Sequence, residues 1–101
     1  MTRPDASVNK GDLVVAGVRV AFEDGIPHLD LRGLEPPRPA VAILTLIDHP
    51  DAGDEVVARL PREPVFLYPE LVERGWSWTR LHSPADEFRL RLTRDRSEAP
   101  R

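Results

Sequence analysis

The chain has 101 residues, with 14 basic and 17 acidic side chains and a formal net charge of −3. That length suits one domain, which buries roughly two-thirds of its unfolded surface and has no room for a large buried active site. The acidic balance offers no whole-domain electrostatic case for nucleic acid, and the absence of cysteine excludes disulfides, thiolate metal ligands and cysteine nucleophiles. With 41% hydrophobic and 31% charged residues the composition is that of an ordinary globular domain. Lys10 is the only lysine, an arginine bias that fits a GC-rich genome. No apolar run approaches the roughly 20 residues of a membrane span. Met1–Gly11 is polar and carries no signal-peptide core, so the expected location is the bacterial cytoplasm.

Met1–Gly11 and residues 95–101 read as loose tails around a single domain from Asp12 to Arg94. Leu13–Phe22 is expected as a strand, with Val14, Ala16, Val18, Val20 and Phe22 on one face and Arg19 on the other. Asp24-Gly25 is a hairpin signal, because glycine tolerates positive φ, and leads into a strand over His28–Arg32. Leu29 and Leu31 should point inward there, Asp30 and Arg32 outward. Gly33 to Pro39 is a stiff joint that opens a helix, since a first helical turn accepts proline. Ala40, Ile43, Leu44 and Ile47 recur at helical spacing, and the helix should end near Asp48 ahead of Pro50. Asp51 to Asp54 forms a turn, and Glu55–Leu60 a strand with Val56, Ala58 and Leu60 inward. Phe66–Arg74 reads as a short second helix, with Phe66, Leu67, Glu70, Leu71 and Arg74 stacked and Gly75 closing it. Trp76–Leu81 and Glu87–Thr93 form a closing hairpin, with Phe88, Leu90 and Leu92 inward and Arg89 and Arg91 outward.

The fold class is therefore α+β: a two-layer α/β sandwich of order β-α-β-α-β-β with an extra N-terminal strand. Two helices cover one face of a mixed sheet. This order, with the run Leu29-Asp30-Leu31-Arg32-Gly33-Leu34-Glu35-Pro36-Pro37-Arg38-Pro39, resembles the TusA/SirA sulfur-carrier family. Its signature there is Leu-Asp-x-Arg-Gly-Leu-x-Cys-Pro-x-Pro, and Pro36 stands at the cysteine position. The family uses a thiol at a helix N-terminus, where the dipole lowers its pKa. Pro36 has neither thiol nor N–H, so the chain cannot carry a persulfide. The segment Arg62-Glu63-Pro64-Val65-Phe66-Leu67-Tyr68, ending at Gly75 and Trp76, is similar to a cysteine-free neighbour family of unknown function.

The first helix N-terminus is one candidate ligand site, formed by Arg32, Glu35 and Arg38. Glu35 and three prolines work against an anion there. His28, His49 and His82 are too scattered for a metal set. Asp48-His49-Pro50-Asp51 is also ordinary helix-end chemistry. Ser83 and Asp86, beside His82, are expected to bond their own turn rather than form a triad. Glu63 and Glu70 would act as acid and base only in a pocket that raised one pKa. Trp76 and Trp78 share a strand face and read as core rather than as a nucleic-acid platform. The first helix carries no charge from Ala40 to Ile47, which leaves Val41, Ala42 and Leu46 as a candidate interface. No catalytic, cofactor-binding or metal-ligating residue is assigned, and no cofactor, nucleic acid or membrane is expected. The resulting reading is a non-enzymatic interaction or accessory module, with a protein partner or a weak homodimer. The alternative is a small-molecule- or anion-binding protein, or an enzyme, using Arg32, Glu35 and Arg38.

Overall fold

The N-terminal stretch does not run straight. In the computed structural model, which describes residues 13–49 and 52–95, Ala16 (φ 49°) and Gly17 (φ 81°) make a two-residue turn. Positive φ at both central residues matches the right-handed twist of flanking strands. The stretch therefore folds back as β1 (Val14–Val15) and β2 (Val18–Arg19), a separate antiparallel hairpin with Val15 opposite Val18. This corrects the single strand over Leu13–Phe22 and its facing. Val15 and Val20 are buried, and Val14 is exposed. Only β3 (Ala21–Glu23) enters the main sheet.

The predicted Asp24-Gly25 turn joins β3 to β4 (Ile26–Asp30), with Glu23 opposite Ile26. Helix α1 (Arg38–Ile47) then crosses to β5 (Glu55–Leu60), which lies parallel to β4 with His28 opposite Val57. Parallel neighbours need such a crossover. A 3₁₀ turn (Val65–Leu67) runs into α2 (Tyr68–Glu73). The Gly75 amide closes that helix on the Val72 carbonyl at 3.1 Å. Strands β6 (Trp76–Leu81) and β7 (Phe88–Arg94) form the last hairpin. The sheet order is β3-β4-β5-β7-β6, mixed, with both helices packed against it. The tail expected over Met1–Gly11 and all but the first residue of the tail expected over residues 95–101 lie outside the described residues, as do Asp12, Pro50 and Asp51. Asp95 continues the ladder, its amide donating to the Gly75 carbonyl at 2.6 Å.

The core fills from both layers. Leu29, Leu31, Val56, Ala58, Leu60, Leu90 and Leu92 come from the sheet side, and Leu67 and Leu71 from the second helical segment. Each fully buried leucine stabilises the fold by roughly 1.5–3 kcal/mol. Helix α1 contributes Pro39, Ala42, Ile43, Leu46 and Ile47 as its buried residues. The apolar stripe is thus rotated from the predicted Ala40, Ile43, Leu44 and Ile47, and Ala40 and Leu44 are half-buried.

The rotation corrects the candidate interface. Ala42 and Leu46 are 0% exposed within the chain, and of the three residues only Val41 reaches the surface. The cover is the N-terminal hairpin. Strand β1 packs on α1, and Arg38 Nη2 donates to the Ala16 carbonyl at 3.1 Å. An uncharged helix needs cover on more than one side, and this chain supplies both covers itself.

Candidate functional site

The end of the sheet where the parallel strands β4 and β5 finish carries the densest chemistry. Asp30 closes β4 and turns outward, and Arg32 two residues later folds back on it. Arg32 Nε and Nη2 donate to the two Asp30 oxygens at 2.8 and 2.7 Å. That guanidinium holds the Asp30 carboxyl at about 2, below its usual range. Arg32 Nη1 also stands 3.7 Å from Glu87.

Glu87 is a buried carboxylate, with 3% of its side chain exposed. Arg59 Nε donates to its Oε2 at 2.8 Å, and Arg89 Nη2 to the same oxygen at 2.8 Å. Arg59 first and Arg89 next hold its pKa down to about 2, against the upward push of burial. Sequence reasoning missed this group because its partners come from three separate segments. The available signal was parity: Glu87, one residue before β7, is in phase with Arg89 and Arg91 on its outward face.

The predicted ligand residues do not converge. Arg32 is engaged by Asp30 and Glu87, while Arg38 reaches the other way to the Ala16 carbonyl. Glu35 is exposed, and its carbonyl already accepts the Arg38 amide at 3.0 Å. Pro37 and Pro39 have no amide hydrogen. The turn therefore presents few free donors to an anion.

The same joint carries an apolar groove of about 290 Å³ instead. Pro36, Pro37 and Pro39 form one side, and Pro64, Val65 and Phe66 line it from the start of the second helical segment. Phe66 is 91% exposed and Val65 51%. The predicted stacking of Phe66 with Leu67 and Leu71 fails because this turn is 3₁₀, which changes the phase between Phe66 and α2. Leu67 and Leu71 face the core, and Phe66 faces solvent.

The remaining candidates resolve individually. Tyr68 stacks on Trp78 with ring centroids 4.4 Å apart, and Trp76 is buried, so both indoles belong to the core side. Glu63 accepts from the Tyr68 hydroxyl at 3.1 Å, and burial with that bond pushes the phenol up to about 12. Glu70 pairs with Arg74, so Glu63 and Glu70 form no acid–base pair. Ser83 Oγ donates to the Glu87 carbonyl at 2.9 Å, inside its own turn. Arg74 holds Asp48 at 3.2 Å. Among the described residues no three His, Asp or Glu side chains gather as metal ligands would. Nor is any described helix long and apolar enough to cross a membrane.

The outward sheet face is rich in arginine but neutralised. Arg59 and Arg89 share Glu87, and Arg91 pairs with Glu55. Arg94, of the other parity, pairs with Asp54 at 3.0 Å and lies over the Trp76 ring. A shallow depression of about 410 Å³ on this face is lined by Arg19, Arg59 and Arg89, but also by Glu23 and Asp30.

No curated protein and no solved structure matches the chain. One family model does, over residues 28–94, described as an uncharacterized conserved protein (DUF2249). The match runs from within β4 to the end of β7 and includes the Asp30–Arg32 pair, Glu87 and the proline-lined groove. The chain is therefore a member of the DUF2249 family.

Proposed function

We propose that the chain is a non-catalytic protein-interaction module, and that its contact surface is the apolar groove at the α1 joint. The observation that carries this reading is Phe66, a large apolar side chain 91% exposed beside a proline-lined groove. Exposed aromatic side chains beside rigid concave surfaces are the usual anchors of protein interfaces. The groove occupies the place where the TusA/SirA resemblance would set its cysteine. In this reading the position has exchanged sulfur chemistry for an apolar contact. Arg62 and Glu63, which also line the groove, supply polar margins that orient a partner. A binding site built on Arg32, Glu35 and Arg38 has less support, because the two guanidiniums point to different partners. The paired arginines likewise weigh against nucleic acid, whose affinity depends on uncompensated cations.

Phe66→Glu tests the reading. Partners captured from cell extract by the wild-type chain should be lost with Phe66→Glu and retained with Thr79→Glu on the opposite sheet face. Both variants should melt within a few degrees of wild type. Equal capture by Phe66→Glu removes the groove from the proposal. Loss of capture with Arg38→Ala in a folded chain favours the ligand site instead.

A further inference from the structure

Both helices lie on one face of the sheet, and the described residues leave the other face open. On that open face Arg59 of β5 and Arg89 of β7 stand directly opposite each other. Like charges in that position destabilise an antiparallel pair. Elsewhere on these strands one arginine meets one carboxylate, as Arg91 does Glu55 and Arg94 does Asp54. At Glu87 three guanidiniums converge on a single carboxylate, those of Arg59 and Arg89 in contact and that of Arg32 at 3.7 Å. Strand pairing alone does not call for this crowding.

The bonding at Glu87 leaves donors over. Its carboxylate takes Arg59 Nε at 2.8 Å and Nη2 at 3.3 Å, and Arg89 Nε at 3.0 Å and Nη2 at 2.8 Å. Nη1 of each arginine bonds no acceptor among the described residues. Glu87 is thus a buried support that fixes two guanidiniums side by side by one edge and leaves the other edge unused. Both arginines line the depression of about 410 Å³, a volume within the range of small-molecule sites. Val57 and Leu81, both half-buried, give it apolar surface, and Arg19 reaches it from the N-terminal hairpin. The two carboxylates that also line it are engaged, Asp30 by Arg32 in two bonds and Glu23 towards His28 at 3.8 Å.

We propose that this depression binds a small organic carboxylate, its oxygens on the unused edges of Arg59 and Arg89 and its apolar body on Val57 and Leu81. A planar carboxylate matches the fork of a guanidinium and forms charge-assisted hydrogen bonds with it. Holding both side chains in place beforehand through Glu87 lowers the ordering cost of binding. The pairing that weighs against a polyanion still leaves donors for one such group. Glu23 and Asp30 at the margin repel a ligand with several negative charges, so the chemistry fits a monocarboxylate rather than a polyphosphate. The site lies across the sheet from the Phe66 groove, so either can fail without the other.

Titration with benzoate, followed by NMR at the Nε–Hε groups of Arg59 and Arg89, tests the site. Benzoate should shift both resonances saturably, with a dissociation constant in the low millimolar range or below. Benzamide, of the same shape without the charge, should bind at least tenfold more weakly. Leu81→Glu adds a carboxylate to the depression without touching the bonds to Glu87. It should abolish benzoate binding and melt within a few degrees of wild type. Arg89→Lys keeps a cation beside Glu87 but loses the fork, and should weaken benzoate at least fivefold. Phe66→Glu should bind benzoate as the wild type does. Absence of a saturable shift, equal shifts with benzamide, or undiminished binding by both folded depression variants overturns the proposal. Shifts confined to Val65 and Phe66 overturn it too, by placing benzoate in the groove.

Discussion

A single buried carboxylate organises the charged sheet face. Glu87 accepts from Arg59 and Arg89 and lies near Arg32, so removing its charge leaves guanidiniums without their common partner. Its folded pKa, about 2, lies below the ordinary glutamate value. Its contribution is therefore full above about pH 4.5 and is lost as pH falls towards 2. Glu87→Gln should lower the melting temperature at pH 7 by on the order of 5 °C. It should also flatten the loss of stability between pH 4.5 and 2.5, as followed by circular dichroism melts. Identical acid limbs in both proteins would show that other groups carry the pH dependence. Asp30 shifts the same way through Arg32, but it is half-exposed, and solvent screening makes its share smaller.

At the scale of elements, the Ala16-Gly17 turn decides where the N-terminal hairpin goes. Ala16 sits at φ 49°, a conformation that an L residue with a Cβ adopts at a cost of about 1–2 kcal/mol. Ala16→Asn should raise stability by about 0.5–1 kcal/mol in urea unfolding, because Asn-Gly is the preferred pair for this turn. Gly17→Ala should destabilise by about 1–2 kcal/mol, since its φ is 81° and a Cβ would meet Arg38 Nη2 at 2.9 Å. No change in either variant would mean the hairpin adds nothing to folding. The same turn shows where sequence reasoning reaches its end. Asp24-Gly25 was readable because both residues favour turns, and Glu55–Leu60 because its alternation is regular. Ala16-Gly17 interrupts an apolar alternation with an alanine, which carries no turn signal. Helix α1 was found but not its rotation, since a segment apolar all round has no polar face to set its phase. The groove was hidden because it needs the start of α1 and the 3₁₀ turn side by side, two segments separated by a whole strand.

For the whole molecule, the buried and exposed surfaces of α1 should respond very differently to charge. Leu46→Lys places a charge in a fully buried site and should destabilise by roughly 3 kcal/mol or more. Val41→Glu, on the exposed flank, should change stability by about 0.5 kcal/mol or less. Denaturation of the two single variants checks this, and a tolerated Leu46→Lys would return that flank to the surface. The hairpin that closes over α1 has a wider consequence. The family match begins at residue 28, whereas Val15 and Val20, which belong to the core, precede it. The stretch matched by the family pattern is thus shorter than the stretch that builds the core. A protein cut at residue 28 would keep every residue of the family pattern and lose the jacket of its central helix. A relative that shared only that pattern would need another cover for the same helix.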